Sequence, residues 1–264
     1  MPSFLFATED GTIVGWNSNL YPTQALCLAA TATGQNNTGV IAKDNSAGGA
    51  VYKGLAVATD KNGTTFLYVT NFHAGQVEIY NGTWGLVTTF TDPSLPANYA
   101  PFNVAAIKIR NEDEDTLEDR LVVTFAQQKL PDKHDDLAGP HHGFVDTFNL
   151  AGDARRRFAS GGPLNSPWGV ALAPRSFGEF GGALLIGNFG DGAINAYEPE
   201  EGEFLGKLRK PGGGAVVIEG LWAVKFGNDG NGGSSKTLYF TAGPNGEADG
   251  LFGALSPKKS ESDD

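Results

Sequence analysis

Three of the four histidines, His134, His141 and His142, fall in one stretch that also carries Asp132, Asp135 and Asp136. Imidazole nitrogens and carboxylate oxygens this close in sequence suit a divalent cation, and aspartate oxygens suit calcium or magnesium. His73 or His134 could also act as a general base toward water. Shorter polar clusters, Glu9-Asp10, Asn71-Phe72-His73 and Asn188-Phe189-Gly190-Asp191, each follow an apolar run. Asparagine, aspartate and glycine are equally the residues that tight turns prefer, so each cluster also has a plain structural role. No Gly-x-Ser-x-Gly elbow, phosphate-cradling glycine loop with Lys-Ser/Thr, or His-Glu-x-x-His motif is present. One cysteine, Cys27, excludes an internal disulfide and a multi-cysteine zinc site.

The elements that position these residues come from a repeat. Gly, one residue, Val/Ile/Phe, two residues and usually an aromatic recurs from Gly11, Gly75, Gly143, Gly192 and, degenerate, Gly250. Each copy follows an apolar strand: Phe4–Thr8, Phe66–Thr70, Leu121–Thr124, Leu184–Gly187 and Leu238–Thr241. The glycine is expected at a positive-φ turn, making each unit a hairpin. In four units an earlier apolar strand precedes it, at Gly54–Ala58, Val104–Ile109, Gly169–Ala173 and Ala223–Phe226. Repeats of this kind predict an all-β propeller with four complete blades and one partial blade before about Tyr21. Asn111–Asp119 reads as a solvated loop between strands, lacking the glycine and terminal glutamate of a calcium hand. The fold is expected as a single domain over residues 1–257, with 258–264 a disordered acidic tail.

Composition agrees with many turns and bounds the partners. Glycine numbers 37 of 264 residues, about twice its usual share. The net charge of −11 repels phosphate backbones, and Arg155-Arg156-Arg157 is too short a basic run for nucleic acid. No run of apolar residues is long enough for a membrane span, and the N-terminal residues do not read as a signal peptide.

A propeller brings the loops before its inner strands, and those between second and third strands, to one mouth. That mouth is expected to gather Asn71, His73, His134, Trp168, Asn188 and Trp222 as ligand-binding residues, with Glu9, Asp135, Asp136 and Asp191 for a metal. A concave site with apolar walls and a few aimed polar groups is the usual ligand pocket. The long loop Ala126–His142 is expected on the same face, as long loops in compact domains often carry function.

Several stretches resemble an uncharacterised family of six-bladed, NHL-repeat-like β-propellers from bacteria and eukaryotes. They are Phe4–Trp16, Lys133–Phe148, Ser160–Pro174, Gly187–Tyr197, Gly220–Gly230 and Leu238–Leu255. The resemblance implies the propeller fold and no established activity or site residues. Family members usually carry further blade sequence upstream behind a signal peptide, which implies an extracellular location at full length.

Two readings of function follow. The first is a module that binds an unknown small molecule or protein at the channel mouth. The second is a metal-dependent hydrolase of the lactonase or esterase propeller type, with a divalent cation such as calcium as cofactor. Self-association through open blade edges is a further expectation.

Overall fold

Apolar runs bounded by Gly, Asn and Asp turns form strands throughout, grouped into five antiparallel sheets in chain order. The structure is a computed structural model and describes residues 4–17, 39–111 and 116–257. Cys27 and the expected tail 258–264 lie outside the described residues. Blade one holds β1 (Phe4–Ala7), β2 (Thr12–Trp16) and β3 (Val40–Asp44). Blade two holds β4 (Tyr52–Thr59), β5 (Thr65–Asn71), β6 (Gln76–Tyr80) and β7 (Leu86–Phe90). Blade three follows with β8 (Tyr99–Asn111), β9 (Thr116–Gln127), β10 (Phe144–Phe148) and β11 (Arg156–Ser160). Blade four is β12 (Pro167–Leu172), β13 (Leu184–Asn188), β14 (Ile194–Tyr197) and β15 (Phe204–Lys207). Blade five is β16 (Leu221–Phe226), β17 (Leu238–Ala242) and β18 (Leu251–Leu255).

This is the five-blade propeller arrangement that the repeats predict, and among the described residues blade one has no inner strand, though its third strand, Val40–Asp44, lies beyond the expected bound near Tyr21. Blade five, expected complete, shows three strands among the described residues.

Strand periodicity explains how the blades hold together. Successive residues of a strand point to opposite faces, so each blade feeds two cores. In β5, Leu67 and Val69 pack toward blade one with Ile13 and Tyr52. Tyr68 between them packs toward blade three with Leu121, Val123 and Phe125. Val122 turns the other way, toward Ile186 and Tyr197 of blade four. The inner strands β4, β8, β12 and β16 surround a channel of about 720 Å³ walled by residues such as Ala56, Ala105, Val170 and Leu172. Each inner strand carries an irregularity at the same place: Tyr52/Gly54, Pro101/Asn103, Pro167/Gly169 and Leu221/Val224.

Two local expectations are corrected. Gly11, Gly75 and Gly192 do take positive φ, but Gly143 and Gly250 do not. Gly143 is needed for close approach instead, since a Cβ there would meet Pro167 Cδ at 2.5 Å. Nothing lies near the corresponding point on Gly250. The second correction is Asn111–Asp119, of which Thr116–Asp119 is strand and not loop. Lys108 reaches Asp119 at 2.8 Å across the β8–β9 pair, an opposite-charge pairing that favours extending the hairpin.

A buried polar knot joins blades one and two. Glu78 accepts hydrogen bonds from Tyr80 Oη at 2.6 Å, Tyr52 Oη at 2.8 Å and Asn71 Nδ2 at 2.8 Å. Asn45 of blade one donates to both phenol oxygens, at 2.5 Å and 2.8 Å. Burial pushes the Tyr80 phenol up to about 12, with Glu78 beside it adding to the rise. Tyr80→Phe deprives a buried carboxylate of one donor and an amide of one acceptor. Denaturant unfolding should show a loss of about 1–3 kcal/mol, and no loss would mean that water replaces the hydroxyl.

Candidate functional site

The inserted stretch between β9 and β10 is laid over the channel mouth by its own backbone. Lys129 N donates to Asp135 O at 2.8 Å and Leu137 N to Gln127 O at 2.7 Å, folding the segment back on itself. Gln128 Nε2 donates to Phe72 O at 2.6 Å, tying it to blade two. Gly139 N donates to Asn165 Oδ1 at 2.7 Å, and Ser166 N to His142 O at 2.8 Å, tying it to the start of blade four. The loop therefore lies on the expected face.

There it completes a charged cluster. His134 Nδ1 lies 3.0 Å from Asp135 Oδ1, and His134 Nε2 lies 3.7 Å from Glu9 Oε2 of blade one. One ligand atom from each of Glu9, His134 and Asp135 can be chosen so that all fall within 4.8 Å of one another. Lys53, at the start of β4, fills the space between the carboxylates. Its ammonium is ion-paired with Glu9 and lies 3.8 Å from Asp135, and its side chain is only 5% exposed. The hydrogen bond with His134 holds Asp135 below the usual carboxylate range, outweighing partial burial, and Lys53 and Lys129 add to the lowering. His73 faces the same loop, its Nδ1 3.0 Å from Asp132 O.

Beside the charges stands an aromatic wall. Phe189 and Trp222 have ring centroids 4.3 Å apart, Trp168 meets Trp222 edge-on at 5.4 Å, and Phe102 lies beneath at 5.8 Å from Trp222. Both indoles are half-buried. Trp168 Nε1 donates to Lys53 O at 3.0 Å, and Trp222 Nε1 donates to Glu247 Oε1 at 2.7 Å. The wall is thus packed and hydrogen-bonded in place, leaving edges and part of the ring faces for contact.

The remaining expected residues serve turns. Asn71 Oδ1 accepts from Ala74 N at 3.1 Å, while its amide is committed to Glu78. Asn188 Nδ2 donates to Asp191 Oδ1 at 2.9 Å, and the same oxygen accepts from Ala193 N at 3.1 Å. Asp191 therefore organises its own hairpin and does not group with Glu9 and Asp135. Asp136 also stands apart, half-buried, with burial raising its carboxyl above the ordinary range despite nearby Ser166 and Lys53. His141 and His142 direct Nδ1 at backbone carbonyls, Gly162 O at 2.7 Å and Leu137 O at 3.0 Å.

Propeller topology places Lys53, Phe102 and Glu247 at the mouth with Trp168 and Trp222, but sequence reasoning gave them no ligand or metal role. A signal existed for the first. Phe102, Trp168 and Trp222 fall at the irregularity of β8, β12 and β16, and β4 breaks that pattern with lysine at the same place.

No family model matches the chain. Among curated proteins it is similar to three uncharacterised proteins of Acanthamoeba polyphaga mimivirus. One is 29% identical over 260 residues, covering 96% of this chain and 56% of that protein. The other two are each 28% identical and are covered over 40% and 60% of their lengths. The chain thus spans about half the length of the curated relatives it matches. Among solved structures it is similar to a streptogramin B lyase, at 10% identity and a TM-score of 0.42, covering 97% of this chain and 68% of that one. A putative 6-phosphogluconolactonase from Bacteroides uniformis gives 15% identity and a TM-score of 0.41, over 77% and 53% of the two chains. Likeness at this level says nothing of chemistry.

Proposed function

We propose that the protein is a binding module that takes a small polar ligand at the channel mouth. The observation that carries this reading is the inserted loop, which sets His134 and Asp135 against Glu9 and Lys53 beside two half-buried tryptophans. Donors, acceptors and aromatic surface then converge in one place, which suits a ligand bearing hydroxyl or amino groups. The acidic net charge favours approach of neutral or cationic molecules over anions. The motif resemblance to the NHL-like propeller family belongs to the same proposal and contributes architecture, not chemistry.

The grouping of Glu9, His134 and Asp135 supports a second reading, a divalent cation at the mouth serving hydrolysis. These residues would hold the cation once Lys53 swings aside, and the cation would polarise a carbonyl. Lys53 already neutralises both carboxylates, so the first reading needs no rearrangement and is preferred.

A melting-temperature screen with monosaccharides, amino acids and the chlorides of calcium, magnesium, manganese and zinc tests both. Under the first reading an organic compound raises the melting temperature, and His134→Ala or Trp222→Phe removes the shift. Organic hits that survive both substitutions would place the site elsewhere. Under the second, a metal chloride gives the shift and Asp135→Ala removes it, while Asp191→Ala leaves it intact.

A further inference from the structure

The seam between blades three and four holds four buried oxygens that no protein group satisfies. They are Ser166 Oγ, Asn188 Oδ1, Asn195 Oδ1 and Tyr197 Oη, none with a hydrogen-bond partner among the described residues. All four residues are no more than 2% exposed. Both blades are four-stranded sheets, so described strands bound the seam on each side. Buried polar atoms nearly always find a partner, and an exception calls for a bound water or ion. We infer that these oxygens bind a monovalent cation of the sodium or potassium kind.

The β13–β14 hairpin gathers them. Asn188 N donates to Ala193 O at 2.9 Å, which sets those two residues opposite each other. Asn195 and Tyr197, two and four residues further along, share their face because strand side chains alternate. Both carboxamides donate to one carbonyl, Pro163 O, at 2.8 Å from Asn188 and 3.4 Å from Asn195. Asn188 Nδ2 is also committed to Asp191 Oδ1 at 2.9 Å. Their donors are thus spent, and each amide oxygen can only accept. Ser166 precedes Pro167, the residue paired with Asn188. Beside the Ser166 hydroxyl lies Asp136, whose Oδ2 is buried and unpartnered as well and brings one negative charge.

The seam between blades one and two shows why the oxygens here are left over. Counted from the repeat glycines, Asn188, Asn195 and Tyr197 correspond to Asn71, Glu78 and Tyr80. There, Asn45 donates to both phenols and Tyr52 donates to Glu78. Asn45 follows the residue paired with Thr12, as Gly161 follows the one paired with Phe144. Tyr52 pairs with Asn71, as Pro167 pairs with Asn188. Glycine and proline therefore stand where the first seam has an amide and a phenol. Neither has a side-chain donor, so positive charge must come from outside the chain. One water offers two protons, whereas a cation takes all four oxygens at once. Neutral oxygens can replace the hydration shell of a monovalent ion, and a single carboxylate nearby balances one charge and not two. This site is separate from Glu9, His134 and Asp135 and does not depend on what the mouth binds.

The test compares melting in sodium, potassium and choline chloride at equal ionic strength. Sodium or potassium should raise the melting temperature by about 2–4 °C over choline. Asn195→Leu should abolish that rise, and Tyr197→Phe should shift the half-saturating salt upward about tenfold. In choline chloride both variants should melt no lower than the wild type, since each removes an unpartnered buried oxygen. Crystals grown in rubidium chloride should show an anomalous peak between Asn188 Oδ1 and Asn195 Oδ1. Equal melting in the three salts, or a rise that both variants keep, would overturn the proposal. So would a rise that Asp135→Ala removes, which would place the ion at the mouth. Density at the seam without a rubidium signal would mean a buried water and would overturn it too.

Discussion

Above about pH 7, where both Asp92 and Asp146 are ionised, Arg157→Ala should destabilise the protein by about 3–5 kcal/mol, because it strips the counter-charge from two buried carboxylates. Arg157 Nε donates to Asp146 Oδ1 at 2.5 Å, and its Nη2 is paired with Asp92. Both aspartate side chains are fully buried. The guanidinium also lies over the Phe144 ring, 4.8 Å from its centroid. Arg155 is a weaker second cation, 3.2 Å from Asp92 but 4.0 Å from Asp146. Asp92 follows blade two and Asp146 lies in blade three, so the cluster holds the joint between them. Arg157→Lys should recover little, since an ammonium cannot span both carboxylates as the planar fork does. Urea unfolding decides the matter: a loss below about 1 kcal/mol would mean that the aspartates find water instead.

The same cluster gives a pH dependence of defined sign. Burial lifts Asp146 to about 7, and the neighbouring Asp92 adds to the rise, although Arg157 opposes both. At Asp92, burial also raises the pKa, but hydrogen bonds from Ser94 and Arg157 outweigh it and leave the group lowered. For Asp146 the folded state holds a proton that the unfolded chain releases near pH 4. Its contribution is therefore full below that pH and is lost as pH rises toward about 7. Asp146→Asn removes this titration. The stability of the wild type relative to the variant should fall across that interval and then level. A difference independent of pH would show that Asp146 stays ionised throughout.

Phe102→Ala is the second large effect, at about 3–5 kcal/mol for a fully buried aromatic. Phe102 lies 5.2 Å from Phe72, 5.8 Å from Trp222 and 6.3 Å from Phe189, measured between ring centroids. It is the base on which the mouth's aromatic wall stands. Removing it should shift tryptophan emission to the red as Trp222 and Trp168 gain water. Phe189 is half-buried, and its truncation should cost less. An unchanged emission maximum in Phe102→Ala would show that the wall is held from above, by Glu247 and the loop, and not from below.

The strands were readable because their apolar runs end in turn residues and repeat. Phe66–Thr70, Leu184–Gly187 and Gly169–Ala173 lie within a residue or so of strands in the structure. What misled was local charge. Glu118 and Asp119 look like loop residues, but Lys108 and Arg120 lie close enough to keep the pair extended. At the site, the face could be foreseen from topology, as could the meeting of His134 and Asp135 with Glu9. Partner choice could not. Asp191 and Asn71 have the same composition as ligands, and only coordinates reveal that their oxygens are taken by backbone amides one turn away. Topology puts Lys53 at the mouth, but an isolated lysine carries no motif, and its role depends on two carboxylates more than forty residues away in sequence.

The irregularity shared by the four inner strands separates two kinds of change that a protein can accumulate. A bulge re-aims the side chain where it occurs without altering the alternation beyond it. Here it falls at or beside Lys53, Phe102, Trp168 and Trp222, just before each strand settles into its channel wall. Substitution at Lys53, Trp168 or Trp222, unlike at fully buried Phe102, alters what the mouth offers while the following wall residues keep their register. At these three positions recognition can therefore diversify without disturbing the strand that follows. Lysine among three aromatics is already one such divergence.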